Sequence, residues 1–289
     1  MVKNTILENH PQLWRQELPH LGSDTHKYSR GHALIYGGTF MTGAARLSAM
    51  ACARAGAGAT TVTCSETVWL LYASSLLSIM VQPWSTLDEA LALRQPAHRA
   101  TLLGPGAGAM PELSALVEGL LLRQTQAQTL VLDADALTIY QSRPQRLFDA
   151  IKNSTANVVL TPHEGEFSRL FPDLSLAQCA LDKTRRAKQA AQRSGAVIVL
   201  KGSDTVIARP QGHTVIQSAS TPYLATAGSG DVLAGLITGL IAQSMPAFTA
   251  ACVAVWLHNQ AALAFGPGLI AEDIIQNMPL AWQRLVGKL

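Results

Sequence analysis

The chain has 289 residues, enough for one large α/β domain or two average ones with a sizeable core. Hydrophobic residues make up 48% and charged residues only 14%, against about 25% in an average globular domain, which excludes a charge-rich disordered chain. The net charge is +3, and no segment gathers five or six like charges, so the composition argues against a nucleic-acid groove.

The apolar pattern predicts neither a membrane span nor a secretion signal. The apolar stretch Val232 to Ala242 is shorter than the ~20 residues of a spanning helix. The N-terminal residues carry no apolar core typical of a signal peptide, so we expect a cytoplasmic protein. Since the sequence has no CxxC pair, we also expect isolated buried thiols in a reducing compartment, at Cys52, Cys64, Cys179 and Cys252.

From residue 33 onward, short β-rich segments alternate with longer segments rich in alanine and leucine. The predicted strands are Ala33–Tyr36, Ala59–Cys64, Ile79–Val81, Thr101–Leu103, Thr129–Asp133, Asn157–Leu160, Ala196–Leu200, Thr205–Ala208 and Thr214–Gln217. The predicted helices are Ala44–Ala55, Glu112–Gln124, Ala177–Arg193, Asp231–Gln243 and Phe248–Ala264. This alternation predicts one three-layer α/β/α domain over residues 1–289, with a central mostly parallel sheet. We expect a hairpin at one sheet edge around residues 209–212, and an irregular arm or helix over residues 1–30.

Ligands of open α/β sheets bind at the carboxyl ends of the strands, so glycine-rich loops after strands are candidate sites. The first such loop, residues 36–45, opens a helix whose free N–H groups can hold an anion, although an ordinary tight turn is the alternative. The second, residues 103–108, lacks the third glycine of the dinucleotide fingerprint. No Gly-Lys-Ser/Thr occurs in the chain, which excludes a Walker loop.

Carboxylates and a histidine follow two other predicted strands. Alternation should aim Asp133 and Asp135 at opposite faces, which argues against a shared-proton dyad, and Asp135 can simply cap the next helix. Glu164 at a helix start has an ordinary explanation in the helix dipole. His163 and Glu166 are three residues apart and can share a helix face toward the crevice.

Two later loops carry the groups that suit phosphate chemistry. Lys201 ends an apolar strand, and its ammonium with the following loop amides can bind nucleotide phosphates, although a solvated lysine is the alternative. Further on, residues 225–235 place two glycines and Asp231 at the start of an apolar helix. The helix amides can stabilise charge on a transferring phosphoryl group, and Asp231 can accept a proton from a substrate hydroxyl. The catalytic candidates are Gly228, Ser229, Gly230 and Asp231.

Together these motifs resemble the ribokinase-like superfamily, and within it the ADP-dependent NAD(P)H-hydrate dehydratases. The segments GGTFMTGAARL, RAGAGATTV, LGPGAG, LDADAL, TPHEGEF, LKGSDT and ATAGSGDVLAG occur in that family's order and approximate spacing. The resemblance covers roughly residues 25 to 285. It implies the ribokinase-like α/β/α fold. The implied reaction is ADP- or ATP-dependent dehydration of the S form of hydrated NADH or NADPH, through phosphorylation of the C6 hydroxyl and elimination of phosphate.

The resemblance also implies roles for individual residues. The nucleotide-binding positions are Lys201, Gly202, Ser203, Asp204, Thr205 and Gly230, and those contacting the hydrated dinucleotide are Ala44, Gly106, His163 and Asp231. Glu166 is similar to the superfamily's acidic residue that orients Mg²⁺ through water. A homo-oligomer, commonly a tetramer, is implied as well. The epimerase domain of many relatives is not expected within the N-terminal 30-odd residues, so a separate epimerase is expected.

Two departures from the family pattern leave alternatives open. The sequence reads Thr221-Pro222-Tyr223 where relatives commonly have Asn-Pro-Gly, and Ala227-Gly228 where they have Gly-Gly. If residue 227 needs positive φ, alanine there costs ~1 kcal/mol or more. The alternatives are a small-alcohol kinase similar to hydroxyethylthiazole kinase and a nucleotide-binding regulatory protein without catalysis.

Overall fold

The computed structural model describes residues 7–20, 22, 24–108, 110, 112–123, 128–218 and 220–287. The described strands are β1 (Leu7–Glu8), β2 (His32–Gly37), β3 (Ala59–Ser65), β4 (Met80–Trp84), β5 (His98–Leu103), β6 (Thr129–Leu132), β7 (Asn157–Leu160), β8 (Val197–Leu200), β9 (Thr205–Ala208) and β10 (Thr214–Gln217). They form one sheet in the order β1-β10-β9-β8-β7-β6-β5-β2-β3-β4. The pairs from β4 to β8 are parallel, whereas β9 is antiparallel to both of its neighbours.

Helices cover both faces of the sheet. They are α1 (Thr42–Arg54), α2 (Trp69–Ala73), α3 (Leu87–Ala92), α4 (Leu113–Arg123), α5 (Asp135–Thr138), α6 (Pro144–Asn153), α7 (Glu164–Leu170), α8 (Lys183–Ser194), α9 (Ser229–Ala242), α10 (Ala247–Phe265) and α11 (Ala271–Val286). Successive strand side chains alternate between two cores, so that Ile35 packs with α1, α9, α10 and α11, and Leu34 packs with α4, α6, α7 and α8. The α/β/α prediction is confirmed.

The strand predictions hold with small shifts at the ends. The fourth strand in the chain is longer than expected, at Met80–Trp84. The predicted hairpin joins β9 and β10, with Gly212 at φ 92 in its turn. It does not lie at the sheet edge, because β1 of the N-terminal arm pairs in parallel with β10 and forms the edge itself.

The helix predictions were less complete. One helix begins at Lys183 and not at Ala177, because the Asp182 side chain caps it by accepting from Arg185 N at 2.8 Å. The expected end of α4 at Gln124 lies outside the described residues. Four described helices were not predicted: α2, α3, α6 and α11. Helices α5 and α7 were expected only by their starts, at Asp135 and Glu164.

Helix α10 is long and apolar enough to cross a membrane, but 72% of its apolar window is buried inside the protein, as in the core helix of a globular fold. The described residues hold four free cysteines. Cys52, Cys64 and Cys252 are buried as expected, whereas Cys179 is only partly buried.

Helices α1 and α9 make backbone-level contact at two glycines. A Cβ at Gly235 would overlap the Ser48 carbonyl oxygen, and one at Gly239 would overlap the Cys52 carbonyl oxygen. Glycine at these two positions therefore sets the close approach of the helices. Ser48 Oγ adds a hydrogen bond of 2.9 Å to the Asp231 carbonyl oxygen, which fixes the start of α9 against α1.

Candidate active site

The strand order reverses between β2 and β5, and the two glycine-rich loops meet at the carboxyl ends of these strands. A Cβ at Gly38 would overlap the Gly106 carbonyl. Met41 N donates to Gly106 O at 3.1 Å, and Ala44 N donates to Met41 O at 3.1 Å. The structure thus brings together Ala44 and Gly106, two residues expected at the dinucleotide.

The loop before α9 ends in a left-handed residue. Gly228 has φ 83 and is the N-cap, so the helix begins at Ser229, two residues earlier than predicted. Ala227 is absent from the described residues with positive φ, so its departure from the family pattern carries no backbone strain. Asp231 lies in the first helical turn. The N–H groups of Gly230 and Asp231 donate to no acceptor within the described part of the chain.

Asp231 is partly buried among other carboxylates. Burial is the main cause that raises its pKa, to about 7, and the charge of Asp133 raises it further. The Lys201 ammonium opposes this rise, while the charges of Asp135 and Glu166 reinforce it. A carboxyl group with a pKa near neutrality suits a general base.

Lys201 forms an ion pair with Asp133 near the Asp231 carboxylate, and the sequence motifs did not indicate this pairing. Its Nζ is 2.7 Å from Asp133 Oδ1, and its side chain is 18% exposed. Asp133 is 2% exposed and also accepts from Thr161 Oγ1 at 2.7 Å. Burial would lower the pKa of Lys201, but the charges of Asp133, Glu166 and Asp231 outweigh it and raise the pKa, so the ammonium stays protonated.

His163 and Glu166 form a reciprocal cap at the start of α7. Gly165 N donates to His163 Nδ1 at 2.9 Å, and His163 N donates to Glu166 Oε2 at 2.8 Å. Burial raises the pKa of Glu166 to about 6, and burial together with Lys201 lowers the pKa of His163. The two residues do lie together, but the cap accounts for most of their arrangement.

Asp135 does not cap the next helix through its side chain. Its Oδ2 accepts from Gly108 N at 2.7 Å and so joins the second glycine-rich loop to the start of α5. Asp133 bonds to Lys201 instead, so the two carboxylates have separate partners and form no shared-proton dyad, as predicted. Between them, Ala134 has φ 48, a strained conformation for a residue with a Cβ.

A cavity of about 790 Å³ lies next to the start of α9. Five of the six expected nucleotide-binding residues are in its wall: Lys201, Gly202, Ser203, Thr205 and Gly230. His163 joins them there, although it was expected at the dinucleotide. Asp231, Asp204, Ala44 and Gly106 are not in this wall.

His258 lines the cavity, although no sequence motif pointed to it. Its Nε2 is 3.0 Å from the Ser229 carbonyl oxygen. Complete burial lowers the pKa of His258 to about 4, so the neutral ring donates to this carbonyl and holds the start of α9 in place.

A sequence profile of the NAD(P)H-hydrate dehydratase family matches residues 33–275. This chain belongs to that family. A relative from Neisseria meningitidis, named ADP-dependent (S)-NAD(P)H-hydrate dehydratase, is 35% identical over 263 residues, covering 87% of this chain and 84% of the relative.

Several relatives in this NAD(P)H-hydrate dehydratase family are longer than this chain. The bifunctional NAD(P)H-hydrate repair enzyme Nnr of Salinibacter ruber is 38% identical over 272 residues, which are 89% of this chain but 49% of the relative. The chain thus spans about half the length of the bifunctional relatives that it matches.

Solved structures agree with the family at the level of the fold. The ADP/ATP-dependent NAD(P)H-hydrate dehydratase from Bacillus subtilis, co-crystallised with ATP/Mg²⁺, superposes with a TM-score of 0.84 at 28% identity and covers 97% of this chain. Hydroxyethylthiazole kinase from Pyrococcus horikoshii superposes with a TM-score of 0.57 at 15% identity, which shows the shared fold alone. The ribokinase-like fold expected from the motifs is confirmed.

Two residues of the site, Asp133 and His258, were left without a role, and a local signal in the sequence points only to Asp133. Asp133 directly follows a buried strand, as Lys201 does, and the carboxyl ends of parallel strands share one sheet edge. Pairing of the two charges could be inferred from that, whereas the contact of His258 with Ser229 depends on the packing of α10 against α9 and leaves no local trace.

Proposed function

We propose that this protein catalyses the ADP-dependent dehydration of the S form of hydrated NADH and NADPH, restoring the reduced dinucleotide. The observation that carries the proposal is Asp231 in the first turn of α9, next to two unpaired helix amides and to Lys201. Membership of the family and the name of the Neisseria meningitidis relative support the choice of substrate.

The chemistry requires a leaving group better than hydroxide. Asp231 takes the proton of the C6 hydroxyl as its oxygen attacks the β-phosphorus of ADP, and AMP leaves. The N–H groups of Gly230 and Asp231 and the Lys201 ammonium offset the charge of the transferring phosphoryl group. The ring-nitrogen lone pair then expels phosphate from C6, and C5 loses a proton. The products are the reduced dinucleotide, AMP and phosphate.

The cavity beside α9 supports the nucleotide half of the site, because its wall holds Lys201, Gly202 and Gly230. In this proposal ADP binds along Lys201–Thr205 and Gly230, and the hydrated dinucleotide contacts Ala44, Gly106 and His163 on its way to Asp231. ATP can replace ADP, because the phosphoryl group is transferred by the same residues.

Mg²⁺ would be held mainly by the nucleotide phosphates. Within the described residues, no three His, Cys, Asp or Glu side chains are grouped as metal ligands. The carboxylate of Glu166 is among those near Lys201 and would orient the ion through water. The ion would neutralise phosphate charge during transfer.

We further propose a cytoplasmic homo-oligomer. Its contacts would include the exposed hydrophobic side chains on and after α2, which are Leu70, Leu71 and Leu77. Light scattering on the purified protein measures its mass, and a monomer at micromolar concentration contradicts the oligomer.

The proposed reaction is tested with its substrate and with a variant in which Asp231 is replaced by the isosteric asparagine. Wild-type protein, Asp231→Asn and the exposed-site control Asp88→Asn are incubated with hydrated NADH, ADP and Mg²⁺ while the absorbance of NADH is followed. Loss of the base should reduce turnover ~10²–10⁴-fold in Asp231→Asn and leave the control unchanged. No NADH from the wild type, or full activity in Asp231→Asn, overturns the proposal.

A further inference from the structure

Lys183, the first residue of α8, bridges the two ends of the loop 201–204. Its Nζ donates to the Lys201 carbonyl at 3.2 Å and also to the Asp204 carbonyl. A Cβ at Gly202 would lie 2.5 Å from this Nζ. A side chain at position 202 would therefore displace the ammonium group, so glycine there leaves room for Lys183.

The two remaining carbonyls of the loop are also bound within the protein. Thr205 Oγ1 donates to Gly202 O at 3.2 Å, and Ser220 N donates to Ser203 O at 2.9 Å. All four carbonyl oxygens of the loop thus have protein donors. The N–H groups of Gly202 and Ser203, by contrast, donate to no acceptor within the described ranges.

This pattern has an electrostatic meaning for an anionic ligand. A carbonyl oxygen turned toward a phosphate repels it, whereas a free N–H attracts it. A loop of four residues can turn its peptide groups either way unless something holds them. Lys183 holds the first and the last of the four carbonyls. It is not itself in the cavity wall, so it acts through the loop.

We propose that Lys183 is a positioning residue for nucleotide binding: by holding the Lys201 and Asp204 carbonyls, it fixes both ends of the loop and keeps the Gly202 N–H, which shares a peptide plane with the Lys201 carbonyl, available to the phosphates of a nucleoside diphosphate or triphosphate. The inference rests on the proposed function only in placing a nucleotide at this loop.

The experiment measures ADP and ATP binding by calorimetry for the wild type, Lys183→Met and Lys188→Met. Lys188 is on the same helix, near Gly212 and away from the loop 201–204, so its variant controls for the loss of one charge. Loss of two charge-assisted hydrogen bonds should weaken binding about ten- to a hundredfold in Lys183→Met, and less than about threefold in Lys188→Met. Equal affinities in the wild type and Lys183→Met overturn the inference, as does equal weakening in both variants.

Steady-state kinetics separate positioning from chemistry. The KM for ADP should rise in Lys183→Met by a similar factor, while kcat at saturating ADP and the KM for the hydrated dinucleotide change less than about threefold. A fall in kcat with an unchanged KM for ADP contradicts a positioning role.

A second variant covers the case in which Lys183→Met melts well below the wild type. Gly202→Ala should weaken ADP binding more when Lys183 is present than in the Lys183→Met background, because only the strain of a Cβ at φ 158 then remains and there is no ammonium group to displace. Additive effects overturn the inference. Intact nucleotide binding without dehydration would overturn the proposed function alone, and no nucleotide binding by the wild type would overturn both.

Discussion

The pKa of Asp231, about 7, predicts how activity depends on pH. A general base acts only when ionised, and each pH unit below 7 reduces the ionised fraction about tenfold. We therefore expect kcat/KM to rise about tenfold per unit up to about pH 7 and to level off above about pH 8.

Replacing Asp133 tests the cause of this pKa. After burial, the negative charge of Asp133 is the largest contribution that raises the pKa of Asp231. Asp133→Asn removes the charge but keeps an oxygen that can accept from Lys201 and Thr161. The midpoint of the pH profile should therefore move to lower pH. Thr161→Val removes a hydrogen bond to the same carboxylate without changing its charge, so its midpoint should stay within about 0.3 unit of the wild type.

The assay is the recovery of NADH absorbance at low substrate concentration between about pH 5 and 9, with melting temperatures of all three proteins as a check on folding. Titration of the ADP phosphates is common to the three proteins and cancels in the comparison. A profile that is flat below pH 7, or an Asp133→Asn midpoint that moves to higher pH, would refute the reasoning.

Three further predictions concern stability. A carboxyl group whose pKa is raised on folding stabilises the protein below its unfolded pKa, and this contribution is lost as the pH rises through the folded pKa, here about 7. Asn carries no such charge, so the melting temperature of Asp231→Asn should rise relative to that of the wild type as the pH is raised from 4 to 8. Gly235→Ala should lower the free energy of unfolding by about 1–3 kcal/mol in a denaturant melt, because its Cβ meets the backbone of α1. In the control variant Gly119→Ala the Cβ meets only a leucine side chain, so the free energy of unfolding should change by less than about 1 kcal/mol. Arg186→Met should lower the free energy of unfolding by about 2 kcal/mol, because Arg186 is 1% exposed and pairs with Glu164. The loss stays moderate because a third of the Glu164 side chain is exposed and can be solvated. An unchanged denaturant melt contradicts the importance of this pair.

The sequence predicted the parallel sheet and the loops of the site because both depend on local patterns. Four to six apolar residues shortly before a glycine specify a buried strand and the turn after it. The ends of the strands at Leu103 and Leu200, and the loops that follow them, were therefore predicted correctly. Helix α6 was missed even though Pro144 is a typical first-turn residue, and α11 was missed because Pro279 interrupts its pattern.

The remaining features depend on partners distant in the chain. Lys201 and Asp133 are 68 positions apart, and only the strand order brings them together. The edge strand Leu7–Glu8 is two residues long and pairs with β10, which no local pattern indicates. For the same reason the sequence identified Asp231 as a candidate base but could not give its pKa, which depends on burial and on four charges from other parts of the chain.

The contact between α1 and α9 bears on how the substrate is received. Because Gly235 and Gly239 let the two helices touch along their backbones, α1, which carries Ala44, and α9, which carries Asp231, pack as one unit. Little conformational freedom remains there to be lost when substrate arrives, so the binding energy is not consumed in assembling this side of the site. Adaptation to a different substrate would accordingly arise in the loops around Phe40 and Met41, whose exposed side chains can change without separating these helices.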